Sequence, residues 1–193
     1  QSCNPVGCTD SAPLSVTGHL NSAIGIITAD NSGNGDRFGS AISLSADSHT
    51  LAIGAPREDS IPTGINGSGN NNSALQSGAV YIFIRNGVNW TQQAYIKASN
   101  TETGDAFGTA VSLSSDGNTL AVGAYLEDSN AIGINNNQLD NSATDSGAAY
   151  VFTRTANSWS QQAYIKASNT DADDYFGEKI SLSGDGITLA VGA

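Results

Sequence analysis

Basic residues are scarce in this chain: seven Lys and Arg stand against 18 Asp and Glu, for a net charge of -11. Phosphate binding needs clustered cations, so the balance argues against nucleic acid as a partner, and against an anionic membrane surface. Charge of either sign is thin, at 13% of residues. Gly, Asn, Ser and Thr are abundant instead, a composition of turns and short strands rather than helices. No apolar run approaches the ~18 residues that read as a membrane-crossing helix. No signal peptide is visible, and Gln1 is expected to be a mature end left by cleavage, which would place the protein outside the cell or at its surface. Cysteine is nearly absent: Cys3 and Cys8 both sit in CNPVGC. Pro5 and Gly7 favour a turn that brings the thiols together, so a local disulfide in an oxidising compartment is expected, with two unpaired thiols in a tail as the alternative. The spacing and the lack of partner ligands argue against a redox pair or a zinc site.

What is present is a repeat. The stretch Gly104–Ala124, GDAFGTAVSLSSDGNTLAVGA, recurs as Gly35–Ala55 and as Asp173–Ala193. The Phe-Gly pairs Phe38-Gly39, Phe107-Gly108 and Phe176-Gly177 are 69 residues apart both times. A fixed period of this size signals a repeat architecture. The expected organisation is an N-terminal extension over 1–17, the degenerate last strand of a blade over 18–31, a first unit over 32–100, a second over 101–169 and half of a third over 170–193. More than half of the positions in the two full units are identical.

Each unit reads as four antiparallel strands: Phe38–Ser45, Thr50–Ala55, Gly78–Arg85 and Trp90–Ala98, with their counterparts. Asp116-Gly117 and Asp185-Gly186, flanked by apolar runs, are strong hairpin signals, because glycine tolerates positive φ. TLAIGA and TLAVGA are short and nearly continuously apolar, which suits a strand buried on both faces. Four strands per repeat describe a β-propeller blade, and the whole is all-β, a partial propeller of about two and a half blades. The Phe of each Phe-Gly pair is expected to fill the gap between blades, and the Gly to admit a neighbouring backbone. Trp90 and Trp159 repeat in frame and read as blade core.

Gly35-Asp36-x-Phe38-Gly39, Leu51 to Pro56 and Gly78 to Phe83 resemble the FG-GAP repeat of integrin alpha-chain propellers and related bacterial surface proteins. The same motifs recur at Asp105, Phe107 and Gly108, and at Asp174, Phe176 and Gly177. The resemblance implies propeller blades and a role in adhesion. Many family members carry an Asp-x-Asp-x-Asp-Gly calcium loop in the first hairpin. Here that hairpin holds a single carboxylate (Asp47, Asp116 or Asp185), too few for an ion that takes six to eight oxygens.

Two other places gather oxygen atoms. The long loops Pro56–Ser77 and Tyr125–Ser146 repeat Glu58, Asp59 and Asn66 as Glu127, Asp128 and Asn135, and the second adds Asp140 and Asp145. These are candidate calcium ligands, and calcium is the one cofactor the sequence suggests. The same residues equally suit bracing of the loop through side chain to backbone hydrogen bonds. The turn before each Phe-Gly carries Asp36, Asp105 and Asp174, expected to cap backbone amides, with Glu102, Asp171 and Asp173 adding charge at no fixed position. Catalysis finds no constellation: His19 and His49 are the only histidines, and no serine is uniquely placed for nucleophilic work. The sequence therefore reads as a non-enzymatic extracellular binding or adhesion module, recognising a protein or glycan through its long loops. The alternatives are a subunit of a surface filament joined through open strand edges, and a scaffold domain of a larger secreted enzyme.

Overall fold

The computed structural model describes residues 26–193 and the backbone of residues 2–4 and 7–9. Strands β1 (Ser2–Asn4) and β2 (Gly7–Thr9) form a small hairpin whose register sets Cys3 opposite Cys8. The two cysteine side chains, and with them the expected disulfide, lie outside the described residues, as does the remainder of the 1–17 extension.

The first blade is the sheet β3 (Ala41–Leu44), β4 (Thr50–Ala55), β5 (Ala79–Asn86) and β6 (Asn89–Ile96), antiparallel in sequence order. The second repeats it as β7 (Ala110–Leu113), β8 (Thr119–Ala124), β9 (Ala148–Thr155) and β10 (Ser158–Ile165). The third repeat contributes the pair β11 (Lys179–Leu182) and β12 (Leu189–Gly192). No helix of the described residues is long and apolar enough to cross a membrane.

The first strand of each blade opens later than the sequence suggests, at Ala41 rather than Phe38. Arg37 and Gly39 hold positive φ, +57° and +91°, and fold residues 37–40 into a turn closed by Ser40 N–H donating to the Arg37 carbonyl at 3.1 Å. The last strand ends at Ile96 rather than Ala98, because Lys97 N–H leaves the ladder and donates to Gly64 of the long loop at 2.8 Å.

The central strands β5 and β9 place side chains on both faces of their sheets, following the period-two alternation of strands. Val80 and Ile82 of β5 point into one core, shared with Phe107, Leu120, Val122, Tyr150 and Tyr164 of the second blade. Ala79, Tyr81 and Phe83 point the other way, with Ala29, Ile53 and Tyr95. Residues 26–31 make no ladder, yet Ile27 and Ala29 pack on that second face. Ile96 and Ala98, 69 positions later, pack the same way against the second blade.

The blades touch through bare backbone. A Cβ on Gly54 would lie 2.0 Å from the Gly108 carbonyl oxygen, and one on Gly78 would lie 2.1 Å from the Phe107 carbonyl oxygen. Gly123 and Gly147 meet Gly177 and Phe176 at the same distances one period on. Phe107 N–H donates to Ser77 of the preceding blade at 3.0 Å. The phenylalanine ring itself turns inward. Phe107 packs edge-on against Tyr150 and Phe152 of its own blade, at 5.2 and 6.2 Å, and Phe38 does so against Tyr81 and Phe83. The Phe107 ring also lies in the core shared with Val80 and Ile82 of the first blade, so it fills the gap between blades while the glycines admit the neighbouring backbone.

Candidate functional site: the loop face and its buried braces

In a sheet wound in sequence order, connections alternate between its two ends. The short hairpins β3–β4 and β5–β6 fall at one end. The long β4–β5 loops and the blade-to-blade connections fall together at the other, and form the loop face.

Each hairpin is closed by its single carboxylate. Asp47 Oδ1 accepts from Ser45 Oγ at 2.5 Å and from His49 N–H at 2.9 Å, and Asp116 does the same with Ser114 (2.6 Å) and Asn118 (3.0 Å). These hydrogen bonds hold the Asp47, Asp116 and Asp185 carboxyls below the ordinary range. One carboxylate, spent on its own turn, does not fit the family's calcium loop.

The long loops are braced from within. Glu58 is buried, and its Oε2 accepts from Lys97 Nζ at 2.8 Å and from Ser60 Oγ at 2.9 Å, while Oε1 accepts from Asn31 Nδ2 at 3.0 Å. Glu127 repeats this with Lys166 Nζ at 2.8 Å and Asn100 Nδ2 at 2.8 Å. Tyr81 and Tyr150 donate to the Asn31 and Asn100 side-chain carbonyls at 2.9 and 2.7 Å. Burial pulls both lysines below their ordinary pKa, and the paired glutamates oppose it. Sequence reasoning missed Lys97, Lys166, Asn31 and Asn100 as partners; the signal was a lysine repeated inside an apolar strand, YIKA.

Five of the six other candidate calcium ligands serve the backbone. Asn66 and Asn135 sit at φ +57° and +56° and accept from Tyr95 and Tyr164 N–H at 3.0 and 2.9 Å, which pins the loop to the outer strand. Asp59 accepts from Gln76 N–H at 2.7 Å, Asp128 from Asp145 N–H at 2.8 Å, and Asp140 from Ser142 N–H at 3.1 Å. Burial and the neighbouring Asp128 and Asp173 raise the Asp145 carboxyl. Among the described residues no three His, Cys, Asp or Glu side chains are placed to hold a metal ion. Glu58 and Glu127 are thus paired with buried ammonium groups, and Asn66, Asn135, Asp59, Asp128 and Asp140 brace their loops.

The turns before Phe-Gly are capped as expected. Asp36, Asp105 and Asp174 accept from Gly33, Glu102 and Asp171 N–H at 2.6, 2.9 and 2.8 Å. Asp105 is buried, and desolvation, aided by Glu127, Glu102 and Asp128, pushes its carboxyl up to about 8. The residue after it takes positive φ in every copy: Arg37, Ala106 and Tyr175.

The loop face opens a cleft of about 90 Å³ between the first two blades, lined by Arg37, Arg57, Gln76, Thr109 and Tyr125. A second hollow of about 180 Å³ adjoins it and shares Arg57 and Gln76. Five of the seven basic residues are engaged elsewhere. Lys97 and Lys166 are buried pairs, Lys179 meets Glu178, Arg85 donates to the Gly87 carbonyl, and Arg154 reaches Thr50, Gln93 and Asn118. Arg37 and Arg57 are exposed, form no ion pair among the described residues, and converge on this one cleft.

Four-stranded antiparallel blades, stacked face to face on glycine seams with their long loops at one end, define a β-propeller repeat module. The chain belongs to the FG-GAP repeat family, whose repeat matches residues 22–83, 90–152 and 159–193. No curated protein sequence matches it.

Proposed function

We propose that this is a non-catalytic extracellular recognition module that binds an acidic segment of a protein ligand at the Arg37–Arg57 cleft. The observation that carries the reading is the convergence of the two uncommitted guanidinium groups in a chain with so few cations. A planar guanidinium pairs bidentately with a carboxylate, which gives geometry as well as charge. The cleft positions are also among those that differ between the repeats: Arg37, Arg57 and Gln76 become Ala106, Leu126 and Asp145. Residues shared by both copies build the blade, while these are free to carry specificity. Glycan recognition by the Asn-rich loop tips is the competing form of the same reading. An array of acidic peptides and of glycans distinguishes them. Acidic peptides are expected to bind, to weaken with added salt, and to be lost in the Arg37→Ala/Arg57→Ala double variant; equal binding by that variant would sink the assignment.

One observation favours a second reading, as a head-to-tail filament subunit. Among the described residues, the leading face of the first blade leaves Phe38 half-buried and no atom close to a Cβ on Gly39, where Phe107 and Gly108 are buried against a neighbour. Growth of particle size with concentration in light scattering supports it; a concentration-independent monomer rejects it.

A further inference from the structure

Each full blade holds a buried lysine and glutamate that meet an asparagine of the preceding unit, buried at Asn100 and half-buried at Asn31, and that ligand recognition does not use. In the second blade, Lys166 Nζ and Asn100 Nδ2 rest on the two oxygens of one carboxylate, Glu127, each at 2.8 Å. All three residues are buried, and Tyr150 and Tyr164 close over them with no exposed surface. The first blade repeats the arrangement with Lys97, Glu58, Asn31 and Tyr81.

We propose that these are self-linking sites, at which the lysine and asparagine side chains condense to an amide: Lys166 with Asn100, and Lys97 with Asn31. Glu127 takes a proton from the Lys166 ammonium, and the freed Nζ pair attacks Cγ of Asn100. As the Nζ–Cγ bond forms, the carbonyl electrons move onto Oδ1, which already accepts from Tyr150 Oη at 2.7 Å. Glu127 passes its proton to Nδ2, the Cγ–Nδ2 bond breaks, and the nitrogen leaves as ammonia. The intermediate loses its second Nζ proton to the same carboxylate, which hands it to the departing ammonia. Atoms and charge balance without oxidant, metal or cofactor.

The surroundings supply what each step needs. A desolvated lysine is an activated nucleophile, a carboxylate within hydrogen-bond reach of both nitrogens is a proton carrier, and a preplaced hydroxyl stabilises the developing oxyanion. Burial keeps out the water that would otherwise compete for the carbonyl. The bond would also join separate blades, since Asn100 ends the first unit and Lys166 lies at the outer strand of the second.

Mass spectrometry of the purified 193-residue chain tests this. The intact mass is expected to fall short of the sequence mass by two ammonia molecules. Tryptic digestion should yield branched peptides joining Lys97 to Asn31 and Lys166 to Asn100. Cyclisation of an N-terminal glutamine releases the same mass, so the branched peptides are the deciding reading. Lys166→Arg keeps the cation on Glu127 but cannot form the amide, and should lose one branch only, with its circular dichroism unchanged. Linear peptides carrying unmodified Asn100 and Lys166 from the folded wild-type chain would overturn the proposal.

Discussion

Asn100, Glu127 and Lys166 show how a single side chain can be read two ways. A carboxylate in an Asn-rich loop resembles a metal ligand until its neighbour is known. With Lys166 Nζ on it at 2.8 Å and both groups almost fully buried, it is a counter-ion. Removing one member leaves a charge in a low-dielectric site, so Glu127→Ala is expected to cost about 3–5 kcal/mol, read from the urea midpoint. Asp105 makes a second prediction. Its folded-state pKa, pushed up to about 8, lies above the ordinary 3.8, so the native state holds a proton that the unfolded chain releases. The stability this contributes is present in full below about pH 4 and is lost as pH rises through 8. Asp105→Asn keeps the acceptor for Glu102 N–H and cannot ionise. Its unfolding midpoint should lie above that of wild type at pH 9 and converge on it at pH 4; parallel profiles would show that Asp105 is already ionised.

At the scale of the element, the outer hairpin explains how one blade grips the next. The β5–β6 ladder slips by one residue, so that Phe83 pairs with Gln92 while Ile82 pairs with Ala94. A bulge re-aims the extra residue. Here it is Gln93, whose Oε1 accepts from Trp159 Nε1 at 3.0 Å and Arg154 Nη1 at 3.1 Å on the second blade. Arg154 also lies over the Trp159 ring, 5.3 Å from its centroid. The inner strand does the same work differently, with Ser43 Oγ accepting from Leu113 N–H at 2.9 Å and Ser112 Oγ from Leu182 N–H at 3.0 Å. Between them the glycine seam permits no side chain. Gly54→Ala must push the Gly108 backbone away, and is expected to destabilise by ~1–3 kcal/mol or more. Hydrogen exchange should locate the loss at the amides of Gly104, Ala106 and Phe107, which donate across the seam to Leu75, Gln76 and Ser77; a wild-type exchange pattern there would refute the contact.

For the whole molecule, stability comes from stacking and from buried polar networks. Melting temperatures in chelator and in millimolar calcium are expected to coincide, because among the described residues no three His, Cys, Asp or Glu side chains are placed to hold an ion. A rise of several degrees with calcium would show a site that these contacts do not reveal. The same stacking forms the cleft proposed for recognition. The cleft of Arg37, Arg57 and Tyr125 exists only because two blades meet, since Tyr125 follows β8 of the second while both arginines belong to the first. Its lining is thus a property of a junction rather than of a repeat, and the next junction, with Tyr175 and Asp145, presents a different surface from a similar backbone.

The 69-residue period, the four strands per unit, their order and the propeller class were all legible in the chain, because periodic glycines, hairpin turns and alternating apolar residues are local signals. So was the capping role of Asp36, Asp105 and Asp174, since a carboxylate three residues after the amide it accepts needs no distant partner. Strand ends were misplaced by up to three residues where left-handed turns at Arg37 and Gly39 overrode an apolar pattern. The partners of Glu58 and Glu127 were not legible at all. Lys97 is 39 residues from Glu58, and Asn31 lies 27 residues before it, in a different unit. Only the packing of one unit on the next brings the three together in one hydrogen-bonded network, with Glu58 and Lys97 buried. The sequence by itself determined the blade; the tertiary structure decided how its polar residues are spent, because burial and pairing arise only when separate units meet.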